Sequence, residues 1–135
     1  MSEDIQRPRV GCGAAILDEQ GRLLLVRRVK NPEADHWGVP GGKLDWGEAA
    51  HVCAERETNE ELGIVVKTGR VLAVTDMVAP DYHWVAITYA VESWEGQPVI
   101  QEAHAIHEWG WFALDALPSP MTAGGLDAVA ALRKA

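Results

Sequence analysis

The stretch GKLDWGEAAHVCAERETNEELGI, Gly42 to Ile64, decides how this chain is read. It holds a glycine, a lone acid at Glu48, then Arg56-Glu57, Glu60-Glu61 and a closing Gly63-Ile64. Residues Ala49 to Leu62 form an uninterrupted helical segment, acidic at its start around Glu48, and Gly63 suits its C-cap. Glu57, Glu60 and Glu61 stand at i, i+3 and i+4, which places them on one helix face. Three like charges there repel, and a cation between them reverses that sign. Carboxylate oxygens are hard ligands that suit Mg²⁺, with Mn²⁺ as a substitute. An isolated E-x-x-E-E is more often a solvated acidic face. The flanking Gly42, Glu48, Arg56 and Gly63 favour the metal site here.

Written as a pattern, the stretch is G-x5-E-x7-R-E-U-x-E-E-x-G-U, where U is usually aliphatic. Seven positions are fixed in type, and at ordinary residue usage a chance match at one start site is about 10⁻⁸. Thr58 departs from the first aliphatic position, although its methyl group can still pack. The pattern resembles the signature of the Nudix hydrolases, which cleave nucleoside diphosphates linked to another group. The resemblance implies a mixed α/β (α+β) fold: a mixed sheet sandwiched between helices, with the signature forming a loop–helix–loop. It implies that Glu57 and Glu61 are direct metal ligands, that Glu60 binds directly or through water, and that the carbonyl of Gly41 joins them. By the same analogy Arg56, its side chain directed off the acidic face, pairs with Glu48 and fixes the loop against the helix.

Composition bounds the rest. The chain has 135 residues, 47% of them hydrophobic, and a net charge of −8. That is enough for one domain with a real core and too little for two. The expected division is a flexible tail over 1–8 and a single domain over 9–135. The acidic balance argues against nonspecific binding to a nucleic-acid polymer. No apolar run approaches the roughly 20 residues that span a bilayer, and the polar N-terminus lacks a signal-peptide core. Cys12 and Cys53 sit in apolar contexts without C-x-x-C spacing, as small buried residues of a reducing cytoplasm.

Along the chain, Val10–Leu17 and Arg22–Val29 read as strands joined by the Asp18–Gly21 turn, together a hairpin. Strand segments follow around a Thr68-Gly69 turn, then a β-rich run over Trp84–Trp94, a short strand near Glu108–Ala113 and a helix over Leu126–Arg133. Strands, a long helix, more strands and a terminal helix make a mixed architecture rather than a doubly wound one.

The chemistry implied is attack of water on phosphorus, with bound metal neutralising charge on bridging oxygens. A base must take the water's proton. The candidates are a signature Glu free of metal and Glu102, in a loop before the Trp109–Trp111 strand where related enzymes carry an acid. Gly41 and Gly42 lack side chains, so backbone can approach metal or phosphate closely. Arg28, ending a strand, matches an arginine that contacts phosphates in similar triphosphate hydrolases. His83 and Gly125 are candidates for shaping a base site, as are the tryptophans near loop ends, Trp37, Trp46 and Trp84, since indole faces stack on bases. Trp109 and Trp111 alternate and read as packing residues.

The runs RVGCGAAILDEQGRLLLVRR, WGVPGGKLDWGE, DYHWVAITYAVE and HEWGWFALDALP extend the likeness to small nucleoside triphosphate pyrophosphohydrolases. The expected substrate is therefore a small-molecule nucleotide, an NTP or dNTP yielding monophosphate and pyrophosphate. Pro80 and Tyr82 point separately to ADP-ribose and dinucleoside polyphosphate substrates, and their disagreement discounts both. A domain that only senses nucleotides would be expected to lose signature acids, and all four are present. The resemblance also allows a homodimer.

Overall fold

The structure, a computed structural model, describes residues 6–134. Of the expected N-terminal tail, residues 1–5 lie outside the described residues, while Gln6, Arg7 and Pro8 are exposed without regular structure.

Alternation along two buried strands builds the core. In β1 (Arg9–Ala15), Cys12 and Ala14 face one way and Ala15 the other. In β2 (Leu23–Arg28), Leu24 and Val26 face one way, Leu23 and Leu25 the other. Successive side chains of a strand point to opposite faces, so each strand serves two layers. On one side Ala14, Leu24 and Val26 pack with Leu62 and Ile64 at the end of helix α1 (Ala50–Leu62), and Cys12 packs with Cys53 and Ala54 of that helix. On the other side Ala15, Leu23 and Leu25 pack with Val129 of helix α2 (Ala123–Lys134). Sheet residues therefore lie between the two helices, the mixed α+β layering expected of this sequence.

Between these elements run β3 (Trp37–Gly38), β4 (Gly41–Lys43), β5 (Val65–Ala79), β6 (Tyr82–Glu95) and β7 (Ile106–Phe112). The larger sheet has the order β4-β1-β6-β5 and is mixed: β1 and β6 are parallel, the other pairs antiparallel. The smaller is antiparallel, in the order β3-β2-β7. Among the described residues no helix is long and apolar enough to cross a membrane.

Three expectations are corrected. The β1–β2 hairpin does not continue beyond its turn. Leu17 bridges Leu23 and the Leu24 N–H reaches the Ile16 carbonyl at 3.0 Å, but the strands then enter different sheets. Glycines in β1 explain the divergence: a Cβ on Gly13 would lie 2.9 Å from Val39 and 3.1 Å from the Pro40 carbonyl, so the segment leading to β4 occupies that edge. The Thr68-Gly69 turn is instead an irregularity within continuous β5. There the Glu55 carboxylate accepts the Thr68 N–H at 3.0 Å and its hydroxyl at 2.8 Å, replacing ladder bonds. Finally, α1 has no acid in its first turn, Ala50-His51-Val52-Cys53, and its N-cap Ala49 carries no polar side chain to bond the helix start; Glu48, just before the cap, is bound to Arg56. The C-cap follows expectation: Gly63 has φ 73° and its N–H reaches the Asn59 carbonyl at 2.8 Å.

Candidate active site

The acidic site forms where β4 meets α1. β4 pairs with β1 so that Gly42 lies opposite Cys12 and Gly41 opposite Gly13. A Cβ on Gly41 would sit 2.3 Å from the Cys12 carbonyl oxygen, and one on Gly42 would sit 2.3 Å from the carboxyl carbon of Glu57. The two glycines thus let β4 lie tightly against β1 and against Glu57 of α1 without a side chain between them. The Gly41 N–H donates to Glu61 Oε1 at 3.1 Å.

Glu57, Glu61 and Glu102 each place a carboxylate oxygen within 4.8 Å of the others. Glu102 arrives on a loop tied to the helix end: the Gln101 N–H donates to the Glu61 carbonyl at 2.9 Å, and the Glu102 carbonyl accepts from Ala105 at 2.9 Å. Burial pushes the Glu61 carboxyl up to about 8, against the pull of the Gly41 N–H. Burial raises Glu57 as well, with Arg56 opposing. Three close carboxylates, two of them desolvated and only Glu57 paired with a cationic side chain among the described residues, form a donor set that fits a hard divalent cation.

Glu60 does not join the trio. Glu57 and Glu61 are offset by about 40° around a helix, whereas Glu60 falls about 60° to the other side. Its side chain is 45% exposed and accepts from Arg56 at 3.1 Å. Arg56 is also corrected: it does not point away from the acids. It holds Glu48 at 2.6 Å as expected, but its guanidinium also reaches Glu57 at 3.0 Å and the Lys43 carbonyl at 3.3 Å. Arg56 holds Glu48 down to about 2, and Glu48 in turn raises Arg56.

A cavity of about 600 Å³ opens over the acids. Arg28 lines it, with its guanidinium donating to the carbonyls of Pro32 at 3.1 Å and Lys30 at 3.4 Å. Farther along, Trp84, Met77 and Ala86 of the sheet face Gly124 and Gly125 of α2. Gly125 is close to Thr122, whose hydroxyl accepts its N–H at 2.9 Å, so α2 begins tightly against Gly38. His83 is not brought to the cavity. It is exposed, and the two-residue period of β6 turns Trp84 and Ala86 inward instead. Trp46 is fully exposed at 103%, Trp37 packs edge-on against Phe112 at 5.1 Å, and Trp109 and Trp111 pack against the core.

The structure adds residues that sequence reasoning missed: Arg9, Lys30, His104 and Glu33 also line the cavity. Glu33 Oε2 accepts the Ala123 N–H at 2.8 Å across 90 positions, a pairing with no local sequence signal.

A NUDIX domain model matches residues 7–132. A MutT NUDIX hydrolase from Burkholderia pseudomallei is 43% identical with a TM-score of 0.88, the match covering 94% of this chain and 99% of that one. The 8-oxo-dGTP diphosphatase of Escherichia coli (strain K12) is 31% identical over 84 residues, 62% of this chain and 65% of that protein. The NAD-capped RNA hydrolase NudC of Chromobacterium violaceum is 30% identical over 111 residues, 82% of this chain and 41% of that protein. The chain spans less than two thirds of either of these last two relatives.

Proposed function

We propose that this chain, which belongs to the Nudix hydrolase family, hydrolyses the pyrophosphate linkage of a free nucleotide, with an NTP or dNTP as preferred substrate and monophosphate plus pyrophosphate as products. The observation that carries this reading is the Glu57–Glu61–Glu102 trio at the base of a cavity also lined by Arg28. A cavity of about 600 Å³ suits a ligand of nucleotide size.

Glu57 and Glu61, with the Gly41 carbonyl, would hold Mg²⁺, and Mn²⁺ would serve as a substitute. Bound metal supplies charge neutralisation on the phosphate oxygens. Glu60, half exposed beside Arg56, would join the ion only through water. Arg28 and the Gly42 backbone meet the phosphate chain, while Gly125 and Trp84 border the nucleoside. A Glu102 carboxylate oxygen takes the proton of the attacking water. The water oxygen bonds to the β-phosphorus, the bond from that phosphorus to the α–β bridging oxygen breaks, and the monophosphate leaves with that oxygen. Arg56 and Glu48 position the helix and touch no substrate. Two free buried cysteines fit a reducing cytoplasm as the setting.

A turnover screen over NTPs, dNTPs, ADP-ribose and dinucleoside polyphosphates, with and without EDTA, tests this reading. Triphosphates should lead, EDTA should abolish turnover, and Mg²⁺ should restore it. In ¹⁸O-water the label should enter pyrophosphate. Label confined to the monophosphate, or full turnover without metal, overturns the mechanism.

A further inference from the structure

Basic side chains line the cavity as well as acids: Arg9, Arg28, Lys30, Lys43 and His104. Arg9 lies over the Trp84 ring at 5.8 Å. Arg28 commits its Nε and Nη2 to loop carbonyls. Lys43 follows the glycines of β4. Lys30 and His104 come from two other segments, and the hydrolytic mechanism gives neither a task.

Backbone bonds bring these two together. β2 and β7 pair as far as Arg28 and Ile106, and the Val29 N–H carries the ladder on to the Ala105 carbonyl at 3.0 Å. In that register Lys30 falls opposite His104. The Arg28 Nη2 donates to the Lys30 carbonyl at 3.4 Å and steadies that end. On the other side the N–H groups of Ala105 and Ile106 both donate to the Glu102 carbonyl, at 2.9 and 3.1 Å. Lys30 and His104 therefore stand beside the turn that presents Glu102.

The same segments carry basic residues outside the cavity lining, and those are paired. Arg27 reaches Glu108 at 2.9 Å and Asp35 at 3.5 Å, and His107 reaches Asp35 at 3.3 Å. Among the described residues, Lys30 and His104 have no such acid, and both are exposed. An ammonium and an imidazole N–H without an internal acceptor suit an anion that the ligand brings.

The loop orders the cavity from end to end. Lys30 sits by Glu102, whereas Glu33 of the same loop accepts the Ala123 N–H of α2 at 2.8 Å, beside Gly124 and Gly125. With the nucleoside against α2 and the reacting phosphorus over the acids, Lys30 and His104 are left for the phosphate beyond the reacting one. In a triphosphate attacked at the β-phosphorus that is the γ-phosphate. A diphosphate has none there.

We propose that Lys30, with His104 opposite it, binds the terminal phosphate of a nucleoside triphosphate and so sets the length of phosphate chain that the site accepts. The inference rests on the reading that the acids hold the reacting phosphates.

The test compares one nucleoside as its triphosphate and its diphosphate, in wild type, Lys30→Met and Lys30→Arg. Lys30→Met keeps most of the side chain's length and removes its charge. Its kcat/KM for the triphosphate should fall by about tenfold, the scale of a hydrogen bond to a charged group. The loss should lie in KM, because the contact is made equally before and during attack. The diphosphate should change by less than about twofold, and Lys30→Arg should recover most of the triphosphate loss. Calorimetric titration with inorganic pyrophosphate in Mg²⁺ reads the site without turnover. Lys30→Met should weaken pyrophosphate by about tenfold and leave orthophosphate within about twofold. Equal losses for triphosphate and diphosphate, or unchanged triphosphate kinetics, overturn the proposal and spare the hydrolase reading. Lys30-dependent pyrophosphate binding in a protein that turns over no triphosphate sinks the reaction assignment alone.

Discussion

Before helix α1, the Glu48 carboxylate lies 2.6 Å from the Arg56 guanidinium and is held down to about 2. Near its end, Glu61 is buried, accepts one backbone N–H from Gly41, and is pushed up to about 8. The two acids share a scaffold and differ in who neutralises them. Glu48 is compensated from within the chain, so its contribution is structural. Glu61, with Glu57 and Glu102 beside it, lacks an internal cation of equal effect, and that deficit suits the site to an external one.

The largest break in this contrast should come from Glu57→Gln or Glu61→Gln. Each keeps shape and removes a ligand charge, so turnover should drop by orders of magnitude. In EDTA the melting temperature should hold or rise, because a buried repulsion is relieved. Near-normal turnover in either variant removes that residue from the metal set.

Glu102→Gln should come next, lowering kcat by about 10²–10⁴-fold with little change in KM, as loss of a general base does. A deficit that shrinks as Mg²⁺ is raised would make Glu102 a ligand rather than the base.

Arg56→Ala attacks the compensated side. It strands Glu48 and leaves Glu57 and Glu60 without their shared partner. Melting temperature should fall by several degrees and activity should fall with it. Intact stability with lost activity would mean that Arg56 acts on substrate.

The smallest effect sharpens the contrast through pH. Glu48 lies below its ordinary 4.5 when folded, so the stability it contributes is full above that value and is lost as pH falls toward about 2. The melting-temperature gap between wild type and Glu48→Gln should be widest near neutrality and close over that acid window. A gap independent of pH would show that Glu48 matters through packing instead.

What the sequence made legible was local. The Glu57–Glu61 pairing is one helical turn, Glu48 lies eight residues from Arg56, and Gly63 ends the helix as a left-handed cap. Glu102 was readable as an acid ahead of a strand. Non-local pairings were not legible. β1 and β2 adjoin in sequence but part into separate sheets, where Gly13 leaves room for the Val39–Pro40 segment that leads into β4. His83 was misplaced by one strand step, since alternation gives the phase of neighbours but not which phase faces the cavity. Glu33 carried no local signal, because its partner is on the last helix.

The two-sided burial of β1 and β2 gives an engineer a parity rule. Volume changed at Ala14 or Leu24 is felt against the end of α1 and its acids, whereas volume changed at Ala15 or Leu25 is felt against α2 and the far wall of the cavity. Libraries restricted to one parity would tune the acidic end or the α2 end of the cavity separately, from positions outside its lining.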